Sequence, residues 1–291
     1  MSEVSYLIIS PVRNEAKYLP LTVQSVRNQT VLPKQWIIVD DGSNDGTGAV
    51  ADAAALECDW IRVVHRADRG YRQPGSGVIE AFYDGLRLRG ADPWEFLVKL
   101  DGDLSFENDY FERCLEHFHK RPRLGISGGT VYCSRGATLE VESKIDPKFH
   151  VRGAAKMYRQ ACWRDIGGLL RAPGWDTLDE VKANMLGWET YTIPEARLVH
   201  HRPAGGAYGV WSNWVKNGRA NYVAGYHPVF MLIKCFSRMV QRPYLIASCG
   251  LLVGFLGGYL KRVPQVEDRE LIRYFRRQQI NRLLLRKSLW G

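Results

Sequence analysis

The sequence predicts an α/β protein built on a mixed, mostly parallel sheet flanked by helices. Short apolar and β-branched runs alternate with helix-length segments along the N-terminal part of the chain. Each run ends on a cluster of Asp, Asn, Arg or Gly. A hydrophobic content of 45% over 291 residues supports a substantial core. Ligands bind such sheets outside the carboxyl ends of the strands. Four polar strand exits, Pro11 to Glu15, Asp40 to Asp45, Arg66 to Gly77 and Asp101 to Asp103, therefore predict one shared site.

The elements follow in order. Tyr6 to Ser10 is a strand broken by Pro11, and Tyr18 to Asn28, with apolar positions at Leu19, Leu21, Val23 and Val26, reads as a helix. Trp36 to Val39 is the second strand, the Ala-rich segment Gly46 to Leu56 a helix, and Trp60 to His65 the third strand. Gly77 to Leu88 reads as a helix and Phe96 to Leu100 as a buried strand that surfaces at Asp101. A helix over Tyr110 to Lys120 and a strand over Gly125 to Tyr132 precede an irregular stretch, Val141 to Val151. Met157 to Ile166 reads as a helix stopped by Gly167-Gly168, and Leu178 to Leu186 as one capped by Gly187. Thr190 to Ile193 is a short strand, and Arg197 to His201 an extended run.

The end of the chain differs in composition. Val229 to Phe236 is almost wholly apolar, and Tyr244 to Leu260 carries no charge between Arg242 and Lys261-Arg262. That second run has the minimum length for crossing a hydrocarbon core, and the alternative is a buried helix of a soluble domain. The net charge is +9, and from Lys261 onward nine Lys/Arg face three Asp/Glu. Basic residues beside uncharged runs favour an anionic membrane surface over nucleic acid as partner. The aromatic and basic stretch Trp211, Trp214, Lys216, Arg219, Tyr222 and Tyr226 fits either an interfacial helix or inter-element packing. We expect a first domain over 1–205 and a helical, membrane-associated extension over 206–291. Six scattered Cys without a C-x-x-C pair give neither a disulfide framework nor a zinc site. The chain enters its first strand directly, so no signal peptide is expected.

Asp101-Gly102-Asp103 places two carboxylates one residue apart at a strand end. They suit one divalent cation, with Gly102 letting the backbone turn between them; an Asx-rich turn without metal is the alternative. His200, after an extended run, is either a further metal donor or an ordinary core histidine. Arg66, Arg69 and Arg72 among Gly70, Gly75 and Gly77 suit phosphates or form a solvated cluster.

Pro11-Val12-Arg13-Asn14-Glu15, then Val39-Asp40-Asp41-Gly42-Ser43-Asn44-Asp45-Gly46-Thr47, then Asp101-Gly102-Asp103 together resemble the pattern of glycosyltransferase family 2. The resemblance covers residues 4 to about 205 and implies a glycosyltransferase A-type fold and an inverting transfer from a nucleotide sugar. It implies that Pro11, Asn14 and Glu15 line the nucleotide pocket and that Asp40 or Asp41 accepts a hydrogen bond from the base. The same loop also suits the capping of the next helix. By the same match Asp103 ligates Mg²⁺ or Mn²⁺, while Asp101 contacts ribose or reaches the ion through water. The family's acidic pair at a helix start corresponds to Asp179-Glu180, in reversed order, with Asp179 favoured as base; helix-dipole complementation is the alternative. Lys156, Tyr158 and Arg159 fall where the family's acceptor-side strand lies.

The expected activity is transfer from a UDP or GDP sugar to a saccharide or lipid-linked acceptor at the cytoplasmic face of a membrane, in polysaccharide or glycolipid synthesis. The alternative is a non-catalytic, membrane-bound scaffold that binds nucleotide sugars on the same fold. A sugar-nucleotide pyrophosphorylase is disfavoured, because residues 10–15 contain no Gly for a phosphate loop.

Overall fold

Every residue of β1 (Tyr6–Val12) is buried. The strand reads as a continuous apolar run because both of its faces are covered. The computed structural model describes residues 5–70, 76–90, 93–135, 138–143, 146–202, 209–240 and 243–291. In chain order β1 is followed by α1 (Leu19–Arg27), β2 (Gln35–Asp40), α2 (Thr47–Glu57), β3 (Ile61–His65), α3 (Ser76–Arg87) and β4 (Phe96–Leu100). These strands form the parallel half of the sheet, ordered β3-β2-β1-β4. A Cβ on Gly85 of α3 would lie 2.8 Å from both Ile9 and Val39, so glycine lets α3 seat closely on the sheet.

Next come β5 (Leu104–Phe106), α4 (Tyr110–Lys120), β6 (Leu124–Arg135), β7 (Thr138–Val141), β8 (Ala155–Arg159) and α5 (Gln160–Ile166), and after α6 (Trp175–Met185) comes β9 (Glu189–His200). They complete a mixed sheet in the order β3-β2-β1-β4-β8-β6-β9-β5, with β7 pairing on β6. Strand β8 runs antiparallel to both neighbours, whereas β6 and β9 are parallel.

Three local expectations change. The helix expected from Met157 begins only at Gln160, because Ala155 to Tyr158 is buried between β4 and β6; tertiary pairing there overrides helix propensity. The two extended runs after Gly187 are one strand, β9. Its register against β6 jumps between Gly129 and Thr130, which pair with Ile193 and Arg197, so the segment around Pro194 bulges out of the ladder. Strands β5 and β7 are too short for a periodic signal and exist through pairing with β9 and β6.

The chain divides into two compact units. One runs to Gly168 and takes in Leu186–Arg202; the other joins Leu169–Met185 to the C-terminal helices. The first unit's core gathers Tyr6, Trp36, Phe96, Phe111 and Phe118 around the sheet, and Trp36 donates its indole N–H to Ser10 Oγ at 2.9 Å.

The second unit contains α6, α7 (Val210–Val223), α8 (Pro228–Met239), α9 (Tyr244–Leu260) and α10 (Arg269–Leu283). Helix α6, expected within the first domain, belongs here because Leu178 and Val181 share a core with Tyr222, Val223, Phe255 and Phe275. Tyr222 and Tyr226 are packing residues of that core, whereas Trp211 is exposed. A Cβ on Gly254 would meet the Val215 carbonyl, and one on Gly218 would meet the Leu251 carbonyl. Glycines on both helices thus set the close approach of α7 and α9. Among the described residues no helix is long and apolar enough to cross a membrane.

Candidate active site

The carboxyl ends of β1, β2 and β3 are tied together by side chains. Asn14, at φ +55, donates its N–H to Ser43 Oγ at 2.9 Å and accepts from Asn44 N–H at 3.0 Å. Glu15 N–H donates to Thr47 Oγ1 at 2.7 Å, and Ala16 N–H to Asp45 Oδ2 at 3.1 Å. The loop after β1 is therefore held by the loop after β2, with buried Pro11 entering from the strand paired with Val39.

Asp40 and Asp41 have different surroundings. Asp40 Oδ1 accepts from Ser43 N–H at 3.0 Å, and its Oδ2 lies 3.3 Å from His65 Nδ1, so its own loop occupies it. Hydrogen bonds to Asp52 and Asp40 raise the His65 imidazole above its ordinary pKa. Asp41 is clamped by ion pairs from Arg66 and Arg69, one to each oxygen, and its carbonyl accepts from Arg13 Nη1 at 2.5 Å. A carboxylate has about four acceptor directions, so Asp41 keeps capacity for a ligand N–H. Arg66 also pairs with Asp84 at 2.8 Å, so the guanidinium expected to touch phosphates is engaged on two carboxylates. A Cβ on Gly42 would lie 2.5 Å from Asp68 Cα, so only glycine fits beneath the loop after β3. Arg72 lies outside the described residues.

The acids after β4 meet the end of β9. Asp103 is buried, with Oδ2 at 3.3 Å from His200 Nε2 and 3.4 Å from Arg202 Nε. Asp101 pairs with Lys99, which also donates to the Gly153 carbonyl at 2.6 Å. Burial raises the Asp101 pKa, Lys99 opposes the rise and neighbouring Asp103 adds to it. Gly102 is needed for a reason other than a turn: a Cβ there would lie 2.6 Å from Val12 Cγ1, so the motif lies directly on β1.

His200 lies between two carboxylates, with Nδ1 at 3.0 Å from Glu142 Oε1. Burial alone would lower its pKa, but hydrogen bonds to Asp103 and Glu142 prevail and push it up to about 10. Burial likewise opposes ionisation of Glu142, yet His200 and Arg152 pull it down to about 2.

Sequence reasoning missed Glu142, which sits in the stretch read as irregular and carries no local signal. It also left out Arg202, which pairs with Glu15 and approaches Asp103. The position of Arg202 next to His200-His201 was the only pointer. Lys99, a charge inside an apolar strand, was legible as a residue needing a buried partner. Glu15 Oε2 is buried without a hydrogen-bond partner, an acceptor available to a ligand O–H or N–H.

Asp179 and Glu180 belong to the second unit and are buried in the second turn of α6. The helix begins earlier than expected, at Trp175, so Asp176 is the first-turn acid and dipole complementation does not account for the pair. Glu180 N–H donates to Asp179 Oδ1 at 2.7 Å, and Asn184 Nδ2 to the Glu180 carbonyl at 2.8 Å.

By donor type Asp103 and His200 suit a divalent cation, but in this structure they face each other as an ion pair at 3.3 Å, so His200 would have to give up the proton that Asp103 and Glu142 hold on it before it could ligate. Among the described residues no group of three or more His, Cys, Asp and Glu is arranged to hold a metal unaided. Two protein donors suit an ion that takes its remaining ligands from a diphosphate and water.

Residues 7–169 match the profile of glycosyl transferase family 2. The chain is 38% identical over 132 residues to polyprenol monophosphomannose synthase of Mycolicibacterium smegmatis, covering 43% of this chain and 47% of that protein. It is 34% identical over 110 residues to undecaprenyl-phosphate mannosyltransferase of Micrococcus luteus, covering 38% and 42% respectively. The matches thus span less than half the length of both relatives. Among solved structures, a Pyrobaculum calidifontis mannosyltransferase in complex with GDP-Man and Mn²⁺ superposes with TM-score 0.56 at 17% identity, covering 97% of this chain and 81% of that one. S. aureus TarS in complex with UDP-GlcNAc gives TM-score 0.55 at 14% identity, covering 96% and 81%. At those identities the likeness is one of fold, the glycosyltransferase A-type fold.

Proposed function

The chain belongs to glycosyl transferase family 2, and we propose that it moves a sugar from a nucleoside diphosphate donor to a lipid-linked acceptor with inversion. The observation that carries this reading is the meeting of Asp103 Oδ2 and His200 Nε2 at 3.3 Å, beside the loops that hold Glu15 and Asp41. In the transfer an acceptor oxygen bonds to the anomeric carbon, and the sugar–phosphate bond breaks with its electron pair leaving on the diphosphate. Asp103 and His200 would hold Mg²⁺ or Mn²⁺, whose chemistry is to stabilise negative charge on that diphosphate. Glu142, at His200 Nδ1, fixes the ring so that Nε2 faces Asp103. Asp41, oriented by Arg66 and Arg69, offers acceptor directions to the base, and the unpartnered Glu15 Oε2 offers one to base or ribose. Asp101 is assigned to the ribose or to a water of the ion.

The names of the two curated relatives support a polyprenyl monophosphate as the acceptor and a mannosyl donor. GDP-mannose, bound by the Pyrobaculum protein, is the first donor to test, with UDP sugars as the comparison. A phosphate monoester is largely ionised at neutral pH and attacks without a base. A saccharide hydroxyl needs one, the role that the family resemblance gives to Asp179 or Glu180.

The test is transfer of radiolabelled mannose to polyprenyl phosphate vesicles, with Asp103→Ala alongside. We expect product in the wild type, a loss of about a hundredfold or more in Asp103→Ala, and an unchanged circular dichroism spectrum. Full activity in that variant overturns the mechanism. Donor binding without release of nucleoside diphosphate would identify a scaffold. Asp179→Asn and Glu180→Gln separate the acceptors: transfer to a phosphate survives both, whereas transfer to a hydroxyl falls about 10²–10⁴-fold in the variant lacking the base.

A further inference from the structure

Helix α9 is apolar on every side, a pattern that belongs to a helix buried in protein or in lipid. Its packed side carries the small residues Gly250, Gly254 and Gly258, which meet Trp214, Val215 and Tyr222 of α7. Its open side carries the large ones: Leu245 is 61% exposed and Leu260 85%, with Ile246, Val253 and Leu256 between them. A helix that meets water has the opposite arrangement. Neighbouring α8 repeats it, because Val229, Leu232, Ile233 and Phe236 form one exposed stripe, continued by Val240.

The charge carried by this stretch of the sequence has one sign. The sequence has no Asp or Glu between Glu195 and Glu267, but in that stretch it has Lys216, Arg219, Lys234, Arg238, Lys261 and Arg262. A second copy of the chain presenting the same face would bring cation to cation. A bilayer of anionic headgroups brings the opposite charge, at about 1 kcal/mol per basic residue near the surface.

We propose that the exposed faces of α8 and α9 seat in the interface of an anionic bilayer, with the helices in the membrane plane. The length of α9, 17 residues, gives about 26 Å of helix, short of the roughly 30 Å hydrocarbon core. Spanning would also draw in α7, packed along α9 and carrying Ser212, Asn213, Lys216, Asn217 and Arg219. An in-plane seat keeps α7 in water and the apolar stripes in the acyl boundary. The inference deepens the reading of a lipid-linked acceptor, on which it rests, by placing the acceptor's own solvent against this face.

Cys249 reports on it directly, being exposed on α9 while Cys114, Cys133, Cys162 and Cys235 are buried. In a Cys58→Ser background, a polarity-sensitive thiol label at Cys249 is mixed with vesicles of phosphatidylcholine, with and without phosphatidylglycerol. We expect a blue shift and co-sedimentation on phosphatidylglycerol vesicles, reduced about tenfold by high salt. A lipid quencher near the headgroups should outperform one at the acyl terminus. Phe236→Glu and Leu256→Glu should each lower vesicle partitioning about tenfold or more, with GDP-mannose binding in solution kept.

No shift on either vesicle overturns the proposal. Stronger quenching from the bilayer centre replaces it with a spanning helix, and a dimer that shields the label without lipid replaces it with self-association. Vesicle binding without sugar transfer would sink the proposed function and leave the surface standing.

Discussion

Replacing Glu142 by Gln tests whether charge, rather than shape, holds the end of β9. Glu142 Oε1 lies 3.0 Å from His200 Nδ1, and Oε2 lies 2.7 Å from Arg152. Its carboxyl is pulled from 4.5 down to about 2, a shift equivalent to about 3 kcal/mol of stability at neutral pH. Two charge-assisted hydrogen bonds at about 1.5–3 kcal/mol each, less what a neutral amide retains, give the same scale. The sign is set by the depressed folded-state pKa. The stabilisation is complete above the unfolded value, about 4.5, and is lost as pH falls through about 2. Near pH 3 about 1.4 kcal/mol should remain.

Urea and thermal denaturation of wild type and Glu142→Gln measure this directly. The expected gap near pH 7 is about 3 kcal/mol, or roughly 6–12 °C in Tm, narrowing by more than half near pH 3. A gap under about 0.5 kcal/mol at neutral pH, the level of an ordinary surface substitution, or one that does not change with pH, refutes the argument.

Gly102→Ala should lower stability by about 1–3 kcal/mol through overpacking against Val12, and Val12→Ala in the same chain should restore most of the loss in thermal melts. Asp41→Asn leaves Arg66 and Arg69 facing a neutral amide. We expect a loss of about 1–3 kcal/mol in urea titrations and about tenfold weaker donor binding by calorimetry. Gly254→Val places a side chain against the Val215 carbonyl of α7; the second unit should lose about 3 kcal/mol or more, read as earlier labelling of Cys235 by a thiol reagent during denaturation.

The parallel half of the sheet was legible because its signals are local. Strands such as Ile37 to Val39 are apolar throughout and stop on polar loops, and a strand buried on both faces needs no distant partner to be recognised. The Asp40–Thr47 loop and the Asp101–Asp103 pair were legible for the same reason. The helix expected at Met157 failed because Ala155 to Tyr158 fits either periodicity, and pairing with β4 and β6 decides between them.

The order of residues determined that acids and bases would line the strand exits, and that the C-terminal stretch would be apolar and basic. Only the assembled sheet decided that Glu142 reaches His200 and that Arg202 reaches Glu15. Those pairs join residues of separate strands and loops, and the register that brings them together includes the irregular step at Gly129. The outward face of α9 was settled in the same way. Hydropathy states how much surface a helix must remove from water, but its neighbour decides which side is left, and here α7 takes the glycines and leaves the leucines.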